Sequence, residues 1–417
     1  MVTLIVKMSN HKLPTAHIFD TITNMEDIYE VPHLKRTEYK VSLDEQNRIL
    51  ESLRARTDVE AERLKRYMAL PDLARVAGSP VKAVAERFIN LPSLKNFDVI
   101  ETPEVISPKV VFDLFNFSPD HPARSASDSY YVDSDHILRP HTSLMWKYYL
   151  ELPEVREKLK KNGSVGALSY GKCYRRDEID WQHSNILHQI DGLFIIRKDM
   201  KLLGQPDLED ILIEAAQSLY GKEVKYKFLV DHFPYTDPSL EMNIELHGKW
   251  VEILGAGIAH PNVLKNLGLD PEVYNAWAFG FGLDRLAMIK EKLPDIRLLR
   301  STDPRVLKQL ADLDHEYQEV SKYPPIVRDI SFIVDAATFN INRYYEVVRE
   351  VIGDELVEEM KLLDEYENVE KFGAGKKSYA FRIVYRSNDR TLTNDEVDAL
   401  HHALEEQTRN EFGATVR

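Results

Sequence analysis

Cysteine is almost absent: Cys173 is the only one in 417 residues, which excludes an internal disulfide and a cysteine-rich zinc site. Long apolar runs are missing too, and none approaches the roughly 20 residues that a membrane-spanning helix requires. The opening MVTLIVK lacks the apolar core and cleavage site of a secretory signal. The arginine-rich, acid-poor character of a transit peptide is also missing, because Asp20, Glu26, Asp27 and Glu30 come early. A reducing, cytoplasmic location is the expectation, with the mitochondrial matrix as the alternative for a mature protein. Basic residues are in deficit, 54 against 68 acidic ones for a net charge of -14, which argues against a protein that coats nucleic acid indiscriminately. A local basic face remains compatible with that charge, since the rest of the surface then limits non-specific binding. There are no internal repeats and no low-complexity segments.

What is present suits two or three domains, since 417 residues are too many for one typical core. Between Ser42 and Met68, Leu43, Ile49, Leu50, Leu53 and Leu64 stand among dense charges, the pattern of one or two amphipathic helices. Val81, Val84, Ala85 and Phe88 then recur at helical spacing. Further on, Met242, Ile244 and Leu246 alternate with Glu241, Asn243 and Glu245 before the turn His247-Gly248-Lys249 and a second strand from Trp250, which reads as a hairpin. Gly280-Phe281-Gly282 followed by Leu283, Leu286, Ala287 and Ile289 reads as a strand running into a buried helix. Pro304 to Lys322 is charged and predicted helical. The tail alternates β, α, β, β, α, β, with a capping-box signature at Thr393 and Glu396.

Six short strings lie in order between His141 and Arg285: HTS, GKCYRRDE, HQID, FPYTDPS, WVEILGAG and AFGFGLDR. Each alone is weak. Together they resemble the catalytic domain of the class II aminoacyl-tRNA synthetases, in the phenylalanyl branch. SKYPPIVRDISF (Ser321 to Phe332) and KKSYAFRIVYRSNDRTLT (Lys376 to Thr393) resemble the ferredoxin-like anticodon-binding domain of that family. The resemblance implies an α+β fold, an antiparallel-sheet class II catalytic domain plus a C-terminal ferredoxin-like (split βαβ) domain. It divides the chain into a helical extension of unclear role (1–75), the catalytic domain (76–303), a helical linker (304–321) and the anticodon-binding domain (322–417).

Activating an amino acid brings its carboxylate against the α-phosphate of ATP, so cations are obligatory. The resemblance places Arg175 on the α-phosphate, where a planar guanidinium binds bidentately, and Arg285 on the γ-phosphate and adenine; these two are the catalytic candidates. Asp177 is expected on the adenosine side, Leu187 over the adenine and Glu252 on Mg²⁺, which one or two carboxylates plus phosphate oxygens usually hold. His141, Ser143, His183, Gln189 and Asp191 correspond to positions that hold the ammonium and carboxylate of the amino acid, a zwitterion that must recover its hydrogen bonds on leaving water. A metal cluster of His141, His183 and His188 is disfavoured, because no cysteine or carboxylate spacing accompanies it. Phe233 and Tyr235 fall on one face of an extended segment and, with Ala278 at the floor and Gly280 beside it, match the side-chain pocket.

Three positions depart from the family pattern: Leu187 stands for a stacking phenylalanine, Asp191 for a glutamate, and Tyr235 for a second phenylalanine of bacterial and mitochondrial forms. Lys376, Lys377, Arg382, Arg386 and Arg390 form the expected tRNA-binding surface. The resemblance implies a monomeric phenylalanine-activating ligase that uses ATP and Mg²⁺, charges tRNA(Phe) and needs no membrane. The alternatives are a paralogue for another aromatic or modified amino acid, and a catalytically weak tRNA-binding protein. A cut near Ser321 is expected to leave adenylate formation in the catalytic part.

Overall fold

The computed structural model describes residues 36–178, 180–246, 248–319 and 323–417. Residues 1–35 of the extension, His247 of the hairpin turn, and Ser321 and Lys322 of the SKYP string lie outside the described residues.

Among the described residues ten strands precede the tail: β1 (Glu38–Lys40), β2 (Asp98–Glu101), β3 (Val105–Ile106), β4 (Ile137–Leu138), β5 (Ser164–Tyr174), β6 (Ile186–Arg197), β7 (Tyr226–Asp231), β8 (Thr236–Leu246), β9 (Lys249–Ala259) and β10 (Tyr274–Gly282). Eight form one sheet in the order β1-β2-β5-β6-β10-β9-β8-β7. The sheet is mixed at one edge, where β1, β2 and β5 run parallel, and antiparallel from β5 to β7. Alternation along the central strands separates two cores. Phe194, Trp277, Phe279 and Phe281 face one side, where the helices Pro80–Ile89, Gln205–Tyr220 and Leu283–Glu291 bury Val84, Phe88, Leu208, Ile211, Leu283 and Leu286. Leu193, Ile195, Ala276 and Ala278 face the other, under Met145, Trp146, Tyr149 and Leu159 from the helices Met145–Glu151 and Pro153–Asn162. The candidate site lies on this second face, where side chains near the start of β6 and the end of β10 emerge beyond the packed core.

Two helices fill the end of the extension, Asp44–Ala55 and Val59–Ala69, the second capped by Asp58 through the Ala61 amide at 3.0 Å. Their buried Ile49, Leu53, Leu64 and Tyr67 pack on Tyr130, Val132, Leu138, Tyr174 and Ile186 of the catalytic body, while Tyr67 and Arg63 also reach Glu346 and Glu350 of the tail. The connector differs from the helix expected over Pro304 to Lys322. Its helix is Pro304–Leu310 and stops there. Beyond it the Gln309 side chain brackets the Gln318 backbone, donating to its carbonyl at 3.0 Å and accepting from its amide at 2.7 Å, while Leu313 and Tyr317 are buried in the main core. Those contacts favour a chain laid along the catalytic body over a free helix.

The tail has four strands, β11 (Ile326–Asp335), β12 (Val357–Glu367), β13 (Lys376–Tyr385) and β14 (Thr415–Val416), in the order β12-β13-β11-β14. The helices Ile341–Ile352 and Asn394–Phe412 cover one face, burying Tyr344, Val347, Val348, Val397 and Leu404 against Phe332, Phe381, Ile383 and Tyr385. Both halves of the Thr393–Glu396 capping box are formed. Among the described residues no helix is long and apolar enough to cross a membrane.

Candidate active site

One cavity of about 490 Å³ opens on the second face of the large sheet. It gathers all fourteen residues proposed from the sequence for ATP and the amino acid. Antiparallel pairing explains how: β6 and β10 place Gln189 opposite Gly282, Asp191 opposite Gly280 and Leu193 opposite Ala278. A Cβ on Gly280 would lie 2.8 Å from the Asp191 carboxylate and 2.9 Å from the Gln189 amide. The glycine is therefore needed to admit these two neighbouring side chains, a reason different from close approach of backbone to a ligand.

At the inner end Asp191 is buried and accepts hydrogen bonds from Ser143 Oγ at 2.6 Å and from Thr142 Oγ1. Burial raises its carboxyl to about 6 against those two hydroxyls and Arg175, which favour the ionised form. Both ring nitrogens of His141 are buried without a hydrogen bond, and desolvation, reinforced by Arg175 and Arg139, lowers the ring to about 3, so the imidazole is neutral. Phe233 and Tyr235 stack with centroids 5.6 Å apart and planes 4° apart, and Phe117 lies 6.0 Å from Tyr235. Gly255 makes room for that stack, since a Cβ there would come 2.7 Å from the Phe233 ring. Burial pushes the Tyr235 hydroxyl up to about 12. Ala278 is buried at the floor.

The outer end is cationic. Arg175 leaves the end of β5 and is aimed by two acceptors, the Pro140 carbonyl at 2.8 Å from Nε and Gln189 Oε1 at 3.2 Å from Nη2. Arg285, at the start of Leu283–Glu291, donates Nη2 to Gln182 Oε1 at 3.3 Å and keeps a buried Nε without a partner. Such orphaned donors cost free energy unless a ligand satisfies them. His183 belongs to this end. It bonds Asp180 at 2.8 Å, which raises it, and it feels Arg285; like Asp191, it lines the cavity. Glu252 is exposed on β9, and partial desolvation followed by the repulsion of Glu241 holds its carboxyl above the usual range, opposed by Arg285. Among the described residues no three or more His, Cys, Asp or Glu side chains group as a metal site.

Sequence reasoning missed several participants. Thr142 stood inside the HTS string but only its neighbours were singled out. Asp284 receives the His188 amide and Nδ1, the latter at 2.9 Å, which fixes His188 as a structural residue. Phe117 arrives from a loop with no motif. The expected tRNA surface lies on β13 and just beyond, and four of its five cations are ion-paired: Lys377 with Glu365 (2.7 Å), Arg382 with Asp329 (2.8 Å), Arg386 with Glu358 (2.7 Å) and Arg390 with Glu396 (2.8 Å).

Residues 67–310 match the family model described as tRNA synthetases class II core domain (F), and residues 321–417 match the ferredoxin-fold anticodon binding domain. A phenylalanine–tRNA ligase of Arabidopsis thaliana, chloroplastic/mitochondrial, is 37% identical over 323 residues, 75% of this chain and 71% of the relative. A mitochondrial phenylalanine–tRNA ligase of Dictyostelium discoideum is 35% identical over 376 residues, 77% of this chain and 79% of the relative. This chain belongs to the class II phenylalanine–tRNA ligases. The phenylalanine–tRNA ligase alpha subunit of Coxiella burnetii is 37% identical over 232 residues, 55% of this chain and 67% of that subunit. The cytoplasmic location expected from the first residues is overturned, because the ligases that match most of the chain are organellar by name. Early acidic residues were a poor guide to compartment.

Proposed function

We propose that this ligase activates phenylalanine with ATP as aminoacyl adenylate and transfers the phenylalanyl group to the 3′ end of tRNA(Phe), acting as a monomer in the mitochondrial matrix. The observation that carries this reading is one cavity with a buried acid and a stacked aromatic pair at its inner end and two arginines at its outer end. A phenylalanine fits that polarity. Its ring lies against Phe233 and Tyr235 above Ala278, its ammonium is balanced by Asp191, and its carboxylate points towards Arg175.

The carboxylate attacks the α-phosphorus and pyrophosphate leaves towards Arg285 and His183. Arg175, already oriented by Pro140 and Gln189, stabilises charge as it gathers on the α-phosphate without reorganising, the condition for efficient electrostatic catalysis. Neutral His141 donates or accepts one hydrogen bond without adding repulsion beside Arg175. Glu252, crowded by Glu241, has the donor chemistry for a Mg²⁺ that is held largely by phosphate oxygens, and such an ion would neutralise the leaving pyrophosphate. Asp177 and Leu187 complete the adenosine side. Ring stacking on the base is replaced there by apolar contact, which supports weaker ATP binding than a phenylalanine would give.

For tRNA, the ion pairs of Arg382 and Arg390 do not rule out phosphate contacts, since exposed ion pairs are worth only about 0–1 kcal/mol and exchange readily, whereas Arg386 is part-buried and also holds the Tyr323 carbonyl. The domain division follows the same reading, with the two helices of residues 44–69 assigned to the catalytic body. Charging of a tRNA(Phe) transcript by the purified chain tests the proposal, with tRNA(Tyr) as the comparison. Charging of tRNA(Tyr) in preference would contradict it. Fractionation of cells carrying a tagged full-length chain tests the compartment.

A further inference from the structure

The loop that carries Arg175 and Asp177 joins β5 to β6 and is held from outside the catalytic body. Arg349, on the tail helix Ile341–Ile352, donates Nη2 to the carbonyl of Asp177 at 3.3 Å and to that of Glu178 at 3.1 Å. Its Nη1 donates to Glu346 Oε1 at 3.0 Å. Glu346 is fully buried and also accepts from the hydroxyls of Tyr67 and Tyr130, each at 2.6 Å, with Arg63 Nε 3.3 Å away. Burial alone would push this carboxyl up, yet Arg349 and the two hydroxyls hold it below its usual range. A buried charge pair satisfied on every side fixes its members in one geometry. The guanidinium that reaches the loop is thus held by groups from both halves of the molecule.

We propose that Arg349 is a positioning residue for amino-acid activation: from the anticodon-binding half, it holds the Asp177–Glu178 backbone and so sets where Arg175 meets the α-phosphate. The inference rests on reading the Arg175 loop as the ATP-binding loop. Two features favour it over simple domain docking. The bonds go to carbonyls two and three residues beyond Arg175, past the point where the loop's own amides are tied, Arg175 to the Asn185 carbonyl at 3.0 Å and Arg176 to the Asp128 carbonyl at 3.2 Å. And the rigid fork of an arginine spans two carbonyls and a carboxylate at once, which a lysine ammonium cannot reproduce. Displacing a positioning element by about 1 Å can cost a factor of about 10² in rate.

The test uses the full chain and no tRNA. Pyrophosphate exchange is measured for Arg349→Gln, Arg349→Lys, Glu346→Gln and, as an interface control, Asn342→Ala, which removes the tail's contacts to the Ser127 carbonyl and Asp128 without touching Asp177 or Glu178. Arg349→Gln is expected to lower kcat roughly tenfold or more with KM for phenylalanine within about twofold, Arg349→Lys to recover part of that loss, and Asn342→Ala to stay within about twofold of the parent. Should Arg349→Gln fail to fold, Glu346→Gln frees Arg349 from its anchor and is expected to show the same kcat loss in milder form. Exchange by Arg349→Gln within twofold of the parent, or equal losses in Arg349→Gln and Asn342→Ala at matched melting temperatures, would overturn the proposal. If Arg175→Ala also leaves exchange intact, it is the ATP-loop reading that has failed instead.

Discussion

Asp191→Asn, examined at two pH values, separates the electrostatic account of the pocket from simple packing. Asp191 is buried, and its carboxyl is raised from an ordinary 3.8 to about 6. That displacement corresponds to roughly 3 kcal/mol between the two protonation states. The sign follows from linkage. A carboxyl whose folded value lies above its unfolded value disfavours the ionised folded state, so its penalty is absent below about pH 4, grows as the pH rises towards 6, and is complete above it. Asparagine removes the penalty and keeps partners for Ser143 and Thr142. The variant should therefore gain about 1–3 kcal/mol in urea denaturation at pH 8 relative to its difference from the parent at pH 4, which cancels any loss from altered hydrogen bonds. At the same time it should lose phenylalanine-dependent exchange by a factor of about 10² or more, since charged hydrogen bonds are worth roughly 1.5–3 kcal/mol and the ammonium would face no counter-charge. A stability difference that is the same at both pH values would refute the reasoning.

Arg175→Ala should lower exchange by about 10²–10³ while leaving the chain folded, and Arg285→Ala should weaken ATP use similarly; activity within about threefold of the parent in either would remove its phosphate role. Gly280→Ala should raise KM for phenylalanine, because its Cβ would press on Asp191 at 2.8 Å and Gln189 at 2.9 Å; steady-state kinetics on both substrates would show it. Charge reversal at Lys377 and Arg386 should raise KM for tRNA and leave KM for ATP unchanged, and an unchanged KM for tRNA in filter-binding or charging assays would take β13 out of tRNA recognition.

The strings legible in the sequence lie at strand ends and in the hairpin loop, where residue type and spacing are set by substrate chemistry within one short segment. The family resemblance carried by those strings is what points to Arg175, Gln189, Asp191, Glu252 and Arg285. Pairings between distant segments were not legible. Nothing local marks Phe117 as a neighbour of Tyr235, or Glu358 and Glu365 on β12 as partners of Arg386 and Lys377. The connector looked helical because its charges are dense, and only its contacts with the catalytic body explain why the helix ends at Leu310. The two halves are joined by a contact between residues far apart in the sequence. A cut near Ser321, which the sequence predicts to leave adenylate formation in the catalytic part, also removes Arg349, 172 positions from the Asp177 carbonyl it bonds.

The central claim is that this cavity selects phenylalanine, and amino-acid-dependent ATP–pyrophosphate exchange across a panel of aromatic and hydroxylated amino acids measures it most directly. Phenylalanine should give the highest kcat/KM. Tyrosine should follow by a factor of about 10², the modest margin with which an apolar floor such as Ala278 rejects an added hydroxyl. Tyrosine or a hydroxylated analogue used as well as phenylalanine, with the Tyr235 hydroxyl as its partner, would contradict the account and favour a ligase for a different aromatic amino acid.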